Sequence, residues 1–419
     1  LGALIRIGFA FLYLVDRLLW TLDIDWLLSP SNGVVSYYIG RQSGGMKTTM
    51  MHTIFSLAPD SDLLFWTMHC LGILHGVLLL LGIAPRLQTL AILVNLVSFQ
   101  HLCSLVIDGQ DDMFRIWAFY MLFLPLDHYT IYDLFPKTGR RDVSRSWPMW
   151  PFRLFQIQIT LIYTGAAFGK LFYGPHWRSG TTLWRLIHTN DFYGGIFNPD
   201  FFFNRLGPLK IITWSSLILE NLCWILIWPL TTRWTILVIM VAFHISLDLA
   251  MNMHCFEWLT ILGWLTFLAL PAHVPPSGPR RGATSNGSSH GKREEGPIIN
   301  HLVNLFLLWI LLSVWAQSNA VVHLEETFPF VAHYNDLAYR INEYTGPVLY
   351  HLGIWQTVWD MFKGEQRVYS VDRSSTFCAT AYPLVLCIKT LSTIKINLWL
   401  ISSMKTERKR CGSVPIGAK

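Results

Sequence analysis

The sequence predicts an all-α fold, a polytopic transmembrane helical bundle of about nine spans. Three observations predict it: 52% of the 419 residues are hydrophobic, only 14% are charged, and nine apolar runs approach the roughly 20 residues that a helix needs to cross the hydrocarbon core. Soluble domains carry about 25% charged residues. A water-soluble fold this apolar would expose more oily surface than it could cover. Nineteen Trp and fifteen Tyr fit the same reading, because these rings collect at membrane interfaces. The net charge of +6 is spread over the loops, which points to loop bias in a lipid bilayer and away from a nucleic-acid partner.

The nine runs are residues 1–20, 63–84, 87–107, 112–127, 152–174, 211–230, 233–252, 255–271 and 298–316. The first contains Arg6, Asp16 and Arg17 and no small-residue cleavage site, so it reads as a retained span and not a signal peptide. The start at Leu1 implies that an initiator Met, with or without a short leader, precedes it. The fourth run is short and needs tilt, bilayer thinning or burial among its neighbours. Together the runs make a transmembrane domain over 1–316. Residues 275–297, rich in Gly, Ser, Pro and charge, read as a disordered loop. Residues 317–370 read as a small lumenal or extracellular cap. The tail, 371–419, holds an apolar stretch at 381–401 interrupted by Lys389 and Lys395. It reads as an interfacial helix, a tenth span or translated non-coding sequence.

Orientation follows from the basic residues. One alternating set of loops holds Arg86, Lys137, Arg140, Arg141, Arg145, Arg233, Arg280, Arg281, Lys292 and Arg293. The other set is longer and holds only Arg41, Lys47, Arg178, Arg185, Arg205 and Lys210. The richer set is expected in the cytoplasm. That puts the N-terminus in the cytoplasm and everything after 316 in the lumen or outside, in the endoplasmic reticulum or plasma membrane. The sequon Asn286-Gly287-Ser288 falls in a loop assigned to the cytoplasm, so a glycan there would overturn the topology. The seven cysteines form no C-x-x-C pair, and the first four lie in or beside apolar runs, as small buried hydrophobes do.

Three clusters carry candidate chemistry. Lys170 follows the small residues Thr164, Gly165, Ala166, Ala167 and Gly169 at the end of the fifth run, where close helix packing is possible. A Lys at mid-bilayer costs about 2.5–3.5 kcal/mol. Lys170 therefore either snorkels to the interface or is a desolvated amine available as general base or nucleophile. Trp177-Arg178-Ser179-Gly180 reads as an interfacial anchor and turn. The second cluster is Asp108 to Asp112 with Arg115. Asp112 and Arg115 stand at i,i+3 and can pair, and Asp111 and Asp112 suit a helix N-terminus electrostatically. The same groups are also candidate site-lining residues. The third is His244 with Asp248, at i,i+4 on one face of the seventh run. They form either a proton-relaying pair or a structural one, and Glu220-Asn221 belongs to the same class. His69, His75 and His101 stand singly. No H-x-x-x-H or H-E-x-x-H ladder occurs, which speaks against a metal centre.

Over the first 320 or so residues the sequence resembles the horizontally transferred transmembrane (HTTM) domain family, related to the vitamin K-dependent gamma-carboxylases. The likeness rests on Leu81-Gly82-Ile83-Ala84-Pro85-Arg86, on Asp111-Asp112-Met113-Phe114-Arg115 running on to Leu124-Pro125-Leu126, and on Gly169-Lys170-Leu171 with Gly174-Pro175, Trp177 and Gly180. Phe243-His244 with Phe256 adds to it, and Trp359-Asp360-Met361-Phe362 more weakly. The resemblance implies a base-catalysed, quinol-coupled, carboxylase-like lyase. Lys170 would deprotonate a lipophilic quinol such as vitamin K hydroquinone. Oxygen would convert the quinol to a strong alkoxide base, which takes a proton from the gamma carbon of a glutamyl residue, and carbon dioxide adds to the carbanion. His244 would be the second catalytic residue, with Asp111, Asp112, Arg115, Trp177 and Asp248 lining the site. A lumenal or secreted peptide would be the partner substrate. The sequence departs from the carboxylase pattern in the Ser246–Leu249 run, in Glu257 where proline is usual, and in two extra residues between Lys170 and Trp177. It also lacks most of the lumenal domain. The rival readings are a non-enzymatic membrane maturation factor, with Lys170 structural, and an ion-coupled transporter using His244, Asp248 and Glu220.

Overall fold

Each of the nine apolar runs contains a helix. The computed structural model describes residues 1–34, 53–102, 108–131, 149–187, 205–251, 253–269, 297–317 and 330–352. Its helices are α1 Gly2–Leu28, α2 Asp62–Leu81, α3 Pro85–Leu102, α4 Gly109–Met121 and α5 Trp150–Phe168. They continue as α6 Leu206–Leu226, α7 Leu230–Ala250, α8 Phe256–Leu265 and α9 Pro297–Gln317. A tenth, α10 Phe330–Leu352, lies in the region expected to be a cap. The fold is all-α, with no β-strand among the described residues. The chain divides into two units, Leu1–Arg367 and Val368–Lys419. The second unit, the sequon, the 275–296 loop and Trp359–Phe362 all lie outside the described residues.

Three of the described helices, α2, α6 and α7, are long and apolar enough to cross a membrane. The others fall short for readable reasons. α1 carries Arg6, Asp16, Arg17, Asp23 and Asp25. α3 buries Gln88, Asn95, Ser98, Gln100 and His101. α4 has 13 residues and α8 has 10. At about 1.5 Å per residue such helices fall well short of the roughly 30 Å of hydrocarbon. The outward faces of α6 and α7 expose Ile211, Ile218, Ile225, Trp234 and Val238, the reverse of the polar exterior that water selects.

Sequence neighbours pack in order: α1 on α2, α2 on α3, α3 on α4, and α6 between α5 and α7. The short α8 packs against α1, α4, α5 and α7. It can approach α4 because Gly263 faces the Trp117 ring, where a Cβ would lie 2.8 Å from the indole. The α2–α3 connection is set by Gly82 at φ 74, in the left-handed region that favours glycine. The Ile83 amide donates back to the Leu78 carbonyl at 2.9 Å, and Pro85 starts the next helix. Arg6 fills the space beside Gly82, and its guanidinium donates to the Tyr129 carbonyl at 2.6 Å. A buried arginine thus ties the start of α1 to the segment after α4.

Candidate functional site

α5 does not stop at Phe168. It widens into a π-helical turn, Gly169–Tyr173, which carries Lys170. Such turns are rare and recur at functional sites. Gly174 and Pro175 end it, and Pro175 opens the short helix Pro175–Arg178. Gly174 is needed there because a Cβ would come within 2.7 Å of both the Lys170 carbonyl oxygen and the Trp177 ring. This tight corner brings Trp177 beneath the lysine.

Lys170 is 7% exposed. Its ammonium donates to Glu220 of α6 and sits 4.6 Å from the centre of the Trp177 ring, within cation–π range. Lys170 therefore points inward and does not snorkel. Trp177, expected as an interfacial anchor, is itself buried under the amine, while Gly180, at φ 72, makes the expected turn. Glu220 comes from a helix 50 positions away in sequence, and one turn further along α6 the Cys223 thiol donates to the Glu220 carbonyl at 3.4 Å.

A second line of groups comes from α5, α7 and α8. The Tyr163 hydroxyl of α5 is hydrogen-bonded to Nε2 of His244 on α7, and Nδ1 of His244 is bonded to Glu257 of α8. All three are buried. Trp264 stacks obliquely on Tyr163 with ring centres 5.0 Å apart.

This corrects the expected pairing of His244 with Asp248. Asp248 accepts instead from the Trp258 indole N–H at 3.2 Å, in an exposed position. One face of α7 does carry both residues, but the partner that reaches His244 lies thirteen residues on, where α8 packs back against α7. Glu257, which in sequence is only a departure from the carboxylase pattern, is the residue that orients the histidine. Tyr163 carried no motif. Its signal was the spacing of seven residues to Lys170, two turns along one helix face.

Asp111, Asp112 and Arg115 gather elsewhere. Asp108 caps α4, accepting from the amides of Gln110 at 2.9 Å and Asp111 at 3.1 Å, and Asp111 accepts from the Asp108 amide at 3.1 Å. The result is a capping box. Arg115 pairs with Asp112 at 2.6 Å and donates to Gln100. Gln110 donates to Asp16 at 2.8 Å, and Asp16 binds Arg17 at 2.8 Å. The Arg17 guanidinium lies 4.4 Å from the Trp20 ring centre. The expected Asp112–Arg115 pair is present, and it joins Gln100 of α3, not Lys170 or His244.

Among the described residues no three His, Cys, Asp or Glu side chains are grouped to hold a metal ion. A cleft of about 450 Å³ is lined by Ile157, Leu161, Leu311, Leu312, Leu337 and Ile341. Ile157 and Leu161 lie more than about 100° around α5 from Tyr163, so this aliphatic cleft is separate from the polar cluster. Fold and site together define a largely helical protein with three helices of membrane-crossing length and a buried acid–base cluster. No protein-family model, curated protein or solved structure matches the chain.

Proposed function

We propose that the chain is a multi-pass integral membrane enzyme of the HTTM type that performs base chemistry at Lys170 on a lipophilic quinol, coupled to carboxylation of a glutamyl side chain. In this reading the nine apolar helices span the bilayer, with the N-terminus in the cytoplasm. The observation that carries it is one amine held out of water. Lys170 lies on a widened turn, paired with Glu220 and backed by Trp177. A buried lysine among apolar helices is costly, and such groups mark function in membrane proteins. A site closed to bulk water suits a strong base, which water would quench. The extra length between Lys170 and Trp177 is compatible with the pattern, because a π-helical turn takes up additional residues. Asp111, Asp112 and Arg115 hold the scaffold in this reading, and His244 supports the base through its two partners.

The test is turnover by the protein in lipid nanodiscs with reduced vitamin K, labelled bicarbonate and a glutamyl peptide. Lys170→Ala is expected to lose about 100-fold or more, the usual worth of a general base. Undiminished turnover in this variant removes the reading. A second reading, proton-coupled transport, is favoured by the continuous burial of Tyr163, His244 and Glu257. It predicts pH-driven uptake into liposomes that falls with His244→Ala, and no labelled carboxylate in the peptide.

A further inference from the structure

Buried tyrosines in this protein differ in what their hydroxyls face. Tyr13 and Tyr120 are buried and donate to the side-chain amide oxygens of Asn95 and Gln158, each at 3.1 Å. An amide oxygen accepts a hydrogen bond but does not take up the proton at any working pH. Tyr163, alone of the three, donates to a base. Its partner is Nε2 of His244, and Nδ1 of that ring is bonded to Glu257. A carboxylate only accepts, so in the neutral imidazole Nδ1 carries the proton and Nε2 the lone pair. The difference matters for one kind of chemistry. A phenol that loses an electron becomes a very strong acid, and the electron leaves readily only when a base stands ready for the proton.

Tyr163 also begins a line of aromatic rings. The Trp264 ring centre lies 5.0 Å away, Phe267 is 5.9 Å beyond it, and Trp228 is 5.2 Å beyond that. Tyr163, Trp264 and Phe267 are buried. Trp228 is partly buried, in the connection between α6 and α7. The Arg153 guanidinium, near the start of α5, sits 5.7 Å from the Trp228 ring centre. From Tyr163 back to Arg153 the line covers about 15 Å of α5. Tyrosine and tryptophan are the side-chain rings that lose an electron most easily, and Phe267 is a spacer between two of them.

We infer that Tyr163 is a redox-active tyrosine that reduces an oxygen-centred lipid radical, the peroxyl radical of an unsaturated acyl chain, and is restored by electrons passed through Trp228 and Trp264. The inference goes beyond the base chemistry of Lys170 and does not depend on it. The step balances. Tyr163 gives one electron to the peroxyl radical, which becomes a peroxide anion and takes a proton from water at the bilayer surface. The phenolic proton passes to Nε2, and the resulting imidazolium is held against Glu257. Tyr163 is then a neutral radical. One electron from a water-soluble enediol reductant arrives through Trp228 and Trp264, the proton returns from Nε2, and the phenol is restored. The net change is one peroxyl radical reduced to a hydroperoxide and one reductant oxidised by a single electron. His244 lets a ring sealed from its oxidant do this, because the proton stays behind while the electron leaves. The positive charge of Arg153 disfavours a radical cation resting on Trp228, so the unpaired electron settles on Tyr163.

The experiment uses the full chain in nanodiscs of unsaturated phosphatidylcholine. A lipophilic azo initiator supplies peroxyl radicals, and samples frozen during the reaction are read by electron paramagnetic resonance. A neutral tyrosyl signal is expected in the starting protein. It is expected to be lost in Tyr163→Phe and kept in Tyr13→Phe and Tyr120→Phe. Glu257→Gln is expected to lower its yield about tenfold, the worth of one charge-assisted hydrogen bond to the imidazolium. Ascorbate is expected to erase the signal, more slowly in Trp228→Phe. A signal absent from the starting protein, or undiminished in Tyr163→Phe, overturns the inference. Equal decay with ascorbate in Trp228→Phe overturns the line of rings. Should Glu257→Gln fail to fold, Tyr163→Phe, which removes one oxygen atom, decides alone. Lys170→Ala is expected to leave the radical intact. Quinol turnover in that variant judges the base reading and the radical judges this one, so the two fail separately.

Discussion

Two buried polar networks divide the molecule, and they are built from different kinds of residue. Between α1, α3 and α4 the groups are Arg17, Arg115, Asp16, Asp112 and the amides Gln100 and Gln110. Arginine keeps its charge at any working pH and binds in a fixed fork, and side-chain amides do not titrate. Between α5, α6, α7 and α8 the groups are a lysine, a tyrosine, a histidine and two glutamates. Each of these can gain or lose a proton. Both networks contain carboxylates, whose partners are arginines and amides in the first and a lysine and a histidine in the second, with a tyrosine on the histidine. Burial alone does not separate the two, since both are inside. The choice of residue type does.

The comparison can be broken most severely at Arg115. Arg115→Met leaves Asp112 buried with its strongest partner gone, and breaking such a pair costs about 3–5 kcal/mol. Thermal unfolding in detergent should show this, with part recovered by adding Asp112→Asn. A loss under about 1 kcal/mol would mean the first network is not structural. Next in size is Glu257→Gln, expected to reduce quinol turnover about 100-fold while changing unfolding by only about 1 kcal/mol. A stability loss matching that at Arg115 would erase the distinction between the networks. Gly263→Ala should cost about 1–3 kcal/mol by forcing the Trp117 ring aside, with turnover per folded molecule retained. The smallest effect belongs to Asp248→Asn. It replaces one exposed hydrogen-bond acceptor by another, so stability should change by less than about 1 kcal/mol. A large loss of turnover there would restore Asp248 to the site.

The sequence made the local features legible. Apolar runs located nine helices, the Asp108–Asp112 acids marked a helix start, and the i,i+3 spacing found the Asp112–Arg115 pair. What escaped were partners brought together by packing. Lys170 and Glu220 each stood out as charges in apolar runs, but nothing in a 50-residue gap says they touch. His244 was given the neighbour that shares its helix, because i,i+4 spacing is visible in sequence and the packing of α8 on α7 is not. The number of membrane crossings was harder for a related reason. Several helices bury polar stripes against one another, which lowers their hydropathy without moving them to the surface.

The Gln110 side chain has a consequence for the order of assembly. Its nitrogen binds Asp16 of α1, and its oxygen accepts the Cys255 backbone amide at 2.8 Å, across 145 positions of sequence. At a synthesis rate of about 5–20 residues per second, this span takes the ribosome about 7–30 s. For that time α1 and α4 have emerged while the donor that completes Gln110 does not yet exist. The early helices must therefore wait, one donor short, for the late ones, and a single amide checks that the second half has arrived in register.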